Sequence, residues 1–246
     1  VADLIGREFM EKTKYQYLPP SDQTQGLPQP PLEKVWATDA PTIDLPNPAE
    51  ITVKPVDLTD AINGRRSVRA YADTPLSLEE LSYLLWTTQG VREITNRPAT
   101  LRTVPSAGSR HPFETYVLVN RVEGLEPGIY AYLASPHKLR VHKLGADLAA
   151  KAVEVSYRQR MVATSAATFI WAADAYRSIW RYGQRAYRYM HLDAGHVCAH
   201  LYLAVAAVDC GCCGIAAFDD DGYAELLDID GVNEFVVYLA PVGKLR

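Results

Sequence analysis

The sequence predicts an α+β domain on three observations. Apolar runs at 114–121, 129–133 and 138–143 are separated by the turn signals Glu126-Pro127-Gly128 and Ser135-Pro136, as expected for successive strands. Ser77 and Glu80 form a capping box ahead of a leucine stripe, which marks a helix start. A stretch at 185–209 repeats apolar residues at helical spacing and is apolar nearly all round. The composition agrees: of 246 residues, 48% are hydrophobic and 22% charged, enough to fill a sizeable core. A net charge of −4 argues against nucleic acid or an anionic membrane as the main partner, since both select a basic field. No apolar run reaches the roughly 18 residues of a membrane span.

Taken in order, residues 1–56 form a proline-rich arm and 57–246 the main domain. Leu18-Pro19-Pro20, Leu27-Pro28-Gln29-Pro30-Pro31 and Leu45-Pro46-Asn47-Pro48 hold the arm extended, with room for one short helix at 2–13. A disordered leader is one reading. Phe9, Tyr15, Tyr17, Trp36 and Ile51 favour an arm laid across the domain or across a second subunit. The N-terminus lacks the charged start and apolar core of a signal peptide. Because the chain opens at Val1, removal of a preceding segment is compatible with the sequence.

A short helix at 57–63 stops at Gly64, and the capped helix runs from 77 to about 88, burying Leu78, Leu81, Leu84 and Leu85. Residues 89–112 read as loop, with small residues that let a flat ligand approach the backbone. A helix is expected at 145–161 and a buried central strand at 166–173. The long helix at 185–209 ends at Gly211, and Gly195 in its middle implies close approach of another backbone. A strand at 212–218, a short helix at 223–228 and a last strand at 234–242 complete the chain. The run Asp219-Asp220-Asp221-Gly222 lacks the glutamate of a calcium loop.

Cys198, Cys210, Cys212 and Cys213 are too crowded for a disulfide framework and lack a second ligand pair for zinc. They read as reduced, buried residues in a reducing, cytoplasmic setting. His191, His196 and His200 lie near one helical face and read as core or interface residues rather than metal ligands. No metal site is expected.

The densest chemistry is Arg65-Arg66-Ser67-Val68-Arg69, whose three guanidiniums and one hydroxyl could clamp an anion two oxygens at a time. Arginine clusters also occur as solvated surface, and residue type alone leaves both readings open. The interleaved arginines and aromatics at 180–189 suit either stacking on a planar ligand or an ordinary helix start.

Four motifs in order resemble the nitroreductase superfamily of flavin enzymes, in its SagB-type branch. They are Arg65-Arg66-Ser67-Val68-Arg69-Ala70-Tyr71, Pro105-Ser106-Ala107-Gly108-Ser109-Arg110-His111-Pro112, Leu192-Asp193-Ala194-Gly195-His196, and Cys213-Gly214-Ile215-Ala216-Ala217-Phe218-Asp219 with the terminal Val242-Gly243. The resemblance implies a three-layer α+β sandwich, a mainly antiparallel sheet flanked by helices, in an intertwined homodimer with FMN at the subunit interface. It implies that Arg65 and Ser67 hold the FMN phosphate, helped by Lys244 and Arg246, and that Arg66 lines the same turn. Arg69 then faces the pyrimidine edge, where a cation stabilises charge developing on reduction. Gln159 reaches the N3/O4 edge, and the segment Gly214, Ile215, Ala216, Ala217 offers backbone N–H groups to N5 and O4. Pro105, Ser106, Ala107 and Ser109 come from the partner subunit.

Azoline-oxidising members carry a Lys-Tyr pair where this sequence has Arg181-Tyr182, and position 109 is serine where nitroreductases often have asparagine. Arginine does not serve as a base. The expected activity is therefore NAD(P)H-driven reduction of a small planar acceptor, a nitroaromatic or quinone, with Tyr182 as proton donor or substrate contact. The alternatives are an azoline dehydrogenase of a peptide-modification pathway and a non-catalytic flavin-binding dimer.

Overall fold

Alternation of apolar residues along the strands builds a sheet buried on both faces. The structure is a computed structural model that describes residues 4–37 and 39–246. Its main sheet has seven strands: β1 (Thr42–Asp44), β4 (Phe113–Val119), β5 (Gly128–Leu133), β6 (Lys138–Leu144), β7 (Ala167–Asp174), β8 (Cys210–Cys212) and β9 (Glu234–Lys244). They lie in the order β1-β6-β5-β4-β7-β9-β8, and every neighbouring pair is antiparallel. A separate hairpin joins β2 (Val91–Ile94) to β3 (Thr100–Arg102). The helices are α1 (Ile5–Lys12), α2 (Leu58–Gly64), α3 (Leu78–Gln89), α4 (Leu148–Val155), α5 (Met161–Thr164), α6 (Ala175–Tyr182), α7 (Ala186–Ala204) and α8 (Asp220–Leu227).

The period-two rule divides the core into two layers. Phe113, Val117 and Val119 of β4 pack with Leu81, Leu84 and Leu85 of α3 and with Met190, Val197 and Leu201 of α7. Tyr116 and Leu118 face the other way, onto Leu148, Met161, Tyr223 and Leu227 of α4, α5 and α8. The capping box of α3 is complete, Ser77 accepting from the Glu80 N–H and Glu80 accepting from the Ser77 N–H. Each fully buried leucine of its stripe contributes about 1.5–3 kcal/mol of transfer free energy.

The arm runs across the domain and supplies the sheet's edge strand, β1, paired to β6. The Lys34 N–H donates to Glu114 at 2.8 Å, Glu33 meets the buried Arg102, and Trp180 Nε1 donates to the Leu27 carbonyl at 2.9 Å. The helix expected at 2–13 is α1; positions 2 and 3 lie outside the described residues.

Several expectations are corrected. Residues 89–112 contain the β2–β3 hairpin, whose three- and four-residue strands and charged Arg92 and Glu93 hide the alternation. The helix expected at 145–161 breaks after Val155, where Tyr157 and Arg158 take positive φ of 50° and 63°. Helix α6 was not foreseen, because Arg177, fully buried and paired to Glu114 and Asp174, interrupts its apolar period. The strand expected at 212–218 stops at Cys212, and only a bridge between Ile215 and Leu239 continues it. Helix α7 passes into a 3-10 turn, Val205–Val208, that ends on left-handed Asp209 rather than on Gly211, which lies in β8. The aspartates at 219–221 start α8, with Asp219 as its N-cap.

One face of α7 carries exposed His191, Leu192, Gly195, His196 and Ala199. His191 and His196 are therefore outside the core of the single chain, and His200 is half-buried. A Cβ added at Gly195 meets nothing within 4 Å, so no backbone among the described residues makes the close approach its sequence position implies. All four cysteines are buried and unpaired, and burial pushes the Cys198 and Cys210 thiols up to about 12.

Candidate functional site

The arginine turn is held from both ends. Asp57 caps α2, accepting from the N–H groups of Thr59 and Asp60, and Arg65 closes that helix. Three residues on, the Val68 N–H donates to the Cys212 carbonyl at 2.9 Å and lays Ser67 beside the end of β8. Arg65, Arg66, Ser67 and Arg69 are all exposed. Among the described residues no carboxylate lies within ion-pair distance of Arg65, Arg66 or Arg69. Beside the turn a cavity of about 400 Å³ opens between α2 and the end of α7, lined by Arg65, Arg66, Asp60, Tyr202, Asp209 and Leu245 among others.

Tyr202 of α7 organises this corner, and sequence reasoning missed it. Its hydroxyl accepts from the Gly214 N–H at 2.8 Å and lies 3.0 Å from Ser67 Oγ, while the Arg65 guanidinium sits 5.3 Å from its ring centroid. The only available signal was a phenol on a helix that is otherwise apolar on that side.

The segment 214–217 leaves β8 against β9. Ile215 exchanges backbone hydrogen bonds with Leu239, and Gly214 abuts Tyr238, whose hydroxyl would lie 2.4 Å from an added Cβ. Ala216 and Ala217 are exposed, and among the described residues nothing accepts their N–H groups. The break between α4 and α5 delivers Gln159 to this segment, where its Nε2 donates to the Ala217 carbonyl at 2.8 Å. Arg246 is tied to the Tyr71 carbonyl at 3.0 Å, near Arg69. Lys244 turns elsewhere: its ammonium is taken by Glu80 and, at 2.9 Å, by the Val208 carbonyl. In this structure it is thus engaged away from the turn it was expected to assist.

The loop 105–112 is built on Asp193. Ser106 Oγ donates to Asp193 at 2.6 Å, the Ala107 N–H donates to the same carboxylate at 3.1 Å, and Ser106 Oγ accepts from the His111 N–H. Burial raises the Asp193 pKa against those donors. Gly108, Ser109 and His111 have φ of 57°, 53° and 44°, so the loop is locally strained. Pro105 is exposed, Ser106, Ala107 and Ser109 are half-buried, and Tyr182 stands against Gly108.

Within one chain the loop and the arginine turn are not brought together. Asp193 and Tyr202 are nine residues apart on α7, which places them about 13 Å apart along the axis and on opposite sides of the helix.

An antiparallel sheet clad by helices on both faces is the fold of nitroreductase-type proteins. The chain belongs to the nitroreductase family, whose model matches residues 62–244. It is 34% identical over 206 residues to the nitroreductase-named protein MJ1384 of Methanocaldococcus jannaschii, covering 84% of this chain and 98% of that one. It is 32% identical over 178 residues to the trifolitoxin-processing protein TfxB of Rhizobium leguminosarum bv. trifolii, covering 68% of this chain and 47% of TfxB. Among solved structures, a nitroreductase-named protein of Anabaena variabilis superposes with a TM-score of 0.69 at 30% identity, over 84% of this chain and 42% of that one. The chain thus spans less than half of TfxB and of the Anabaena protein. The E. coli microcin synthetase McbBCD complex with truncated pro-MccB17 shares the fold, with a TM-score of 0.64 at 15% identity, over 98% of this chain and 92% of that one. Among the described residues, no helix is long and apolar enough to cross a membrane.

Proposed function

We propose that this chain is an FMN-dependent dehydrogenase that works as a homodimer and oxidises an azoline in a peptide to the azole. The observation that carries the flavin is the donor set. Arg65, Arg66 and Arg69 have no carboxylate partner, and the N–H groups of Ala216 and Ala217 have no acceptor, among the described residues. Guanidiniums and a hydroxyl fit a phosphate, and backbone N–H groups fit the nitrogen and carbonyl edge of a planar ring. Arg65, Ser67 and Arg66 would hold the phosphate with Arg246 nearby, Arg69 and Gln159 the pyrimidine side, and the Gly214, Ile215, Ala216, Ala217 segment the N5 edge.

The separation along α7 supports the homodimer. A twofold axis near Gly195 and Ala199 would lay the exposed face of α7 on its own copy. The 105–109 loop of one chain would then reach the arginine turn of the other, completing a site that a single chain leaves in two halves.

The oxidative, peptide-directed reading is supported by the likeness to TfxB, a processing protein for trifolitoxin, and by a fold shared with a microcin synthetase along nearly the whole chain, arm included. When bound, FMN supplies the two-electron step. The chain's part is to place the substrate and move the accompanying proton, and the Tyr182 hydroxyl, set against the strained loop at Gly108, is the group for that transfer. Arg181 does not serve as a base.

A second reading, NAD(P)H-driven reduction of a quinone or nitroaromatic, is favoured by that arginine, because the Lys of the azoline-oxidising pair is missing. Anaerobic mixing with a thiazoline-bearing peptide separates the two. Bleaching of the flavin band with loss of two hydrogens from the peptide is expected. NAD(P)H turnover with menadione and no peptide oxidation would replace the first reading by the second, and neither reaction would leave a flavin-binding dimer.

A further inference from the structure

Three of the buried arginines in this protein are held very differently. Arg102 reaches Glu33 and Gln89, and Arg177 is locked to Glu114 and Asp174. Arg110 is only 4% exposed, yet no carboxylate lies within ion-pair distance of it among the described residues. Its Nε donates to the Arg177 carbonyl at 3.1 Å, its guanidinium lies 5.1 Å from the Trp180 ring centroid, and one terminal nitrogen is sealed off without an acceptor. Burial, with Arg181 and Arg177 as neighbouring cations, lowers its pKa. A buried cation lacking both counter-charge and full hydrogen bonding is costly, and folds retain one where an anion compensates it.

The same corner holds a second unanswered cation. Arg181 is half-exposed, and its side chain has neither an ion pair nor a hydrogen bond among the described residues; its guanidinium sits 5.6 Å from the Tyr182 ring centroid. The Arg181 and Tyr182 side chains both press on the loop, since a Cβ added at Gly108 would lie 2.9 Å from Arg181 Nε and 2.3 Å from Tyr182 Oη. Two guanidiniums, one phenol and one indole therefore flank the stretch 108–110, and neither guanidinium has an ion pair among the described residues.

We propose that Arg110 and Arg181 form a carboxylate-recognition site beside Tyr182, which takes an acidic group carried by the substrate. A planar carboxylate matches a guanidinium fork, and the Trp180 ring under Arg110 holds that fork in place. The proposal rests on the reading that Tyr182 meets the substrate. In that frame, the site selects peptides with an acidic side chain or a free C-terminus near the heterocycle, and positions them for the proton transfer.

Calorimetric titration of the purified protein with benzoate and with benzamide tests the site without depending on turnover. Benzoate is expected to bind at least about tenfold tighter than benzamide, the scale of one charge-assisted pair. Arg181→Met should abolish that preference with flavin content unchanged, and Arg181→Lys should restore part of it. Arg110→Met should act in the same direction, and circular dichroism reports whether it folds. Equal binding of the two probes, a benzoate preference untouched by Arg181→Met, or tighter binding of adenosine 2′-phosphate than of benzoate would each overturn the carboxylate assignment. Loss of the flavin reading shows separately, as protein that is colourless yet still prefers benzoate.

Discussion

The Gly214 N–H donates to the Tyr202 hydroxyl at 2.8 Å, and the same oxygen lies 3.0 Å from Ser67 Oγ. One side chain of α7 therefore sets the distance between the arginine turn and the 214–217 segment. Tyr202→Phe keeps the ring under Arg65 and removes both hydrogen bonds. Each is worth about 0.5–1.5 kcal/mol net, so FMN affinity is expected to fall about tenfold. Fluorescence titration of FMN measures this, and unchanged affinity would show that the turn and the segment hold their spacing without Tyr202.

Gly195→Leu separates the fold from the dimer. Within the chain a side chain there meets open space, and leucine gains nearly 1 kcal/mol of helix propensity over glycine. The variant chain should therefore still fold, which circular dichroism checks. If α7 meets its own copy at this point, sizing should show monomer and the bound flavin should be lost. A flavin-loaded dimer of the variant would move the interface off Gly195.

Gly108→Ala strains the loop where φ is 57° and where the new methyl would lie 2.3 Å from Tyr182 Oη. The left-handed conformation alone costs about 1–2 kcal/mol for a non-glycine residue. Scanning calorimetry should show Tm lower by about 2–4 °C per kcal/mol. Turnover is expected to fall further, about a hundredfold, because the loop positions Tyr182. A drop in Tm with full turnover would place the loop away from the reaction.

Asp230 makes the predicted pH dependence. It accepts the N–H groups of Glu234, Val232 and Asn233 and the Asn233 amide, which together hold its pKa down to about 2 from an ordinary 3.8. The folded state thus favours the ionised form. The stabilisation is complete above 3.8 and is lost as pH falls through about 2. Asp230→Ala should lower Tm at neutral pH, and the gap from wild type should close across that window. A gap independent of pH would mean that the carboxylate charge carries none of the effect.

Much of the fold was legible because the signals were local. The capping box of Ser77 and Glu80, the turns at Pro127-Gly128 and Pro136, and the apolar strand at 167–174 depend on neighbours within a few residues. Helix α6 was not legible, because Arg177 sits at a buried position that Glu114, 63 residues away, helps to make tolerable. The break after Val155 was hidden in the same way: its left-handed Tyr157 and Arg158 are followed by Gln159, held through a contact to Ala217.

By itself the sequence determined the kinds of groups at the site: guanidiniums at 65, 66 and 69, a hydroxyl at 67, a glycine where a left-handed loop needs one at 108, and a long apolar helix. These are properties of residue type and near spacing, which a linear chain states directly. Only the tertiary structure decided that Tyr202 joins Ser67 to Gly214, that Lys244 is spent on Glu80, and that Arg110 is buried without an acid among the described residues. Partners so far apart in sequence are chosen by packing, because a buried polar group takes whatever the folded neighbourhood brings within hydrogen-bond reach.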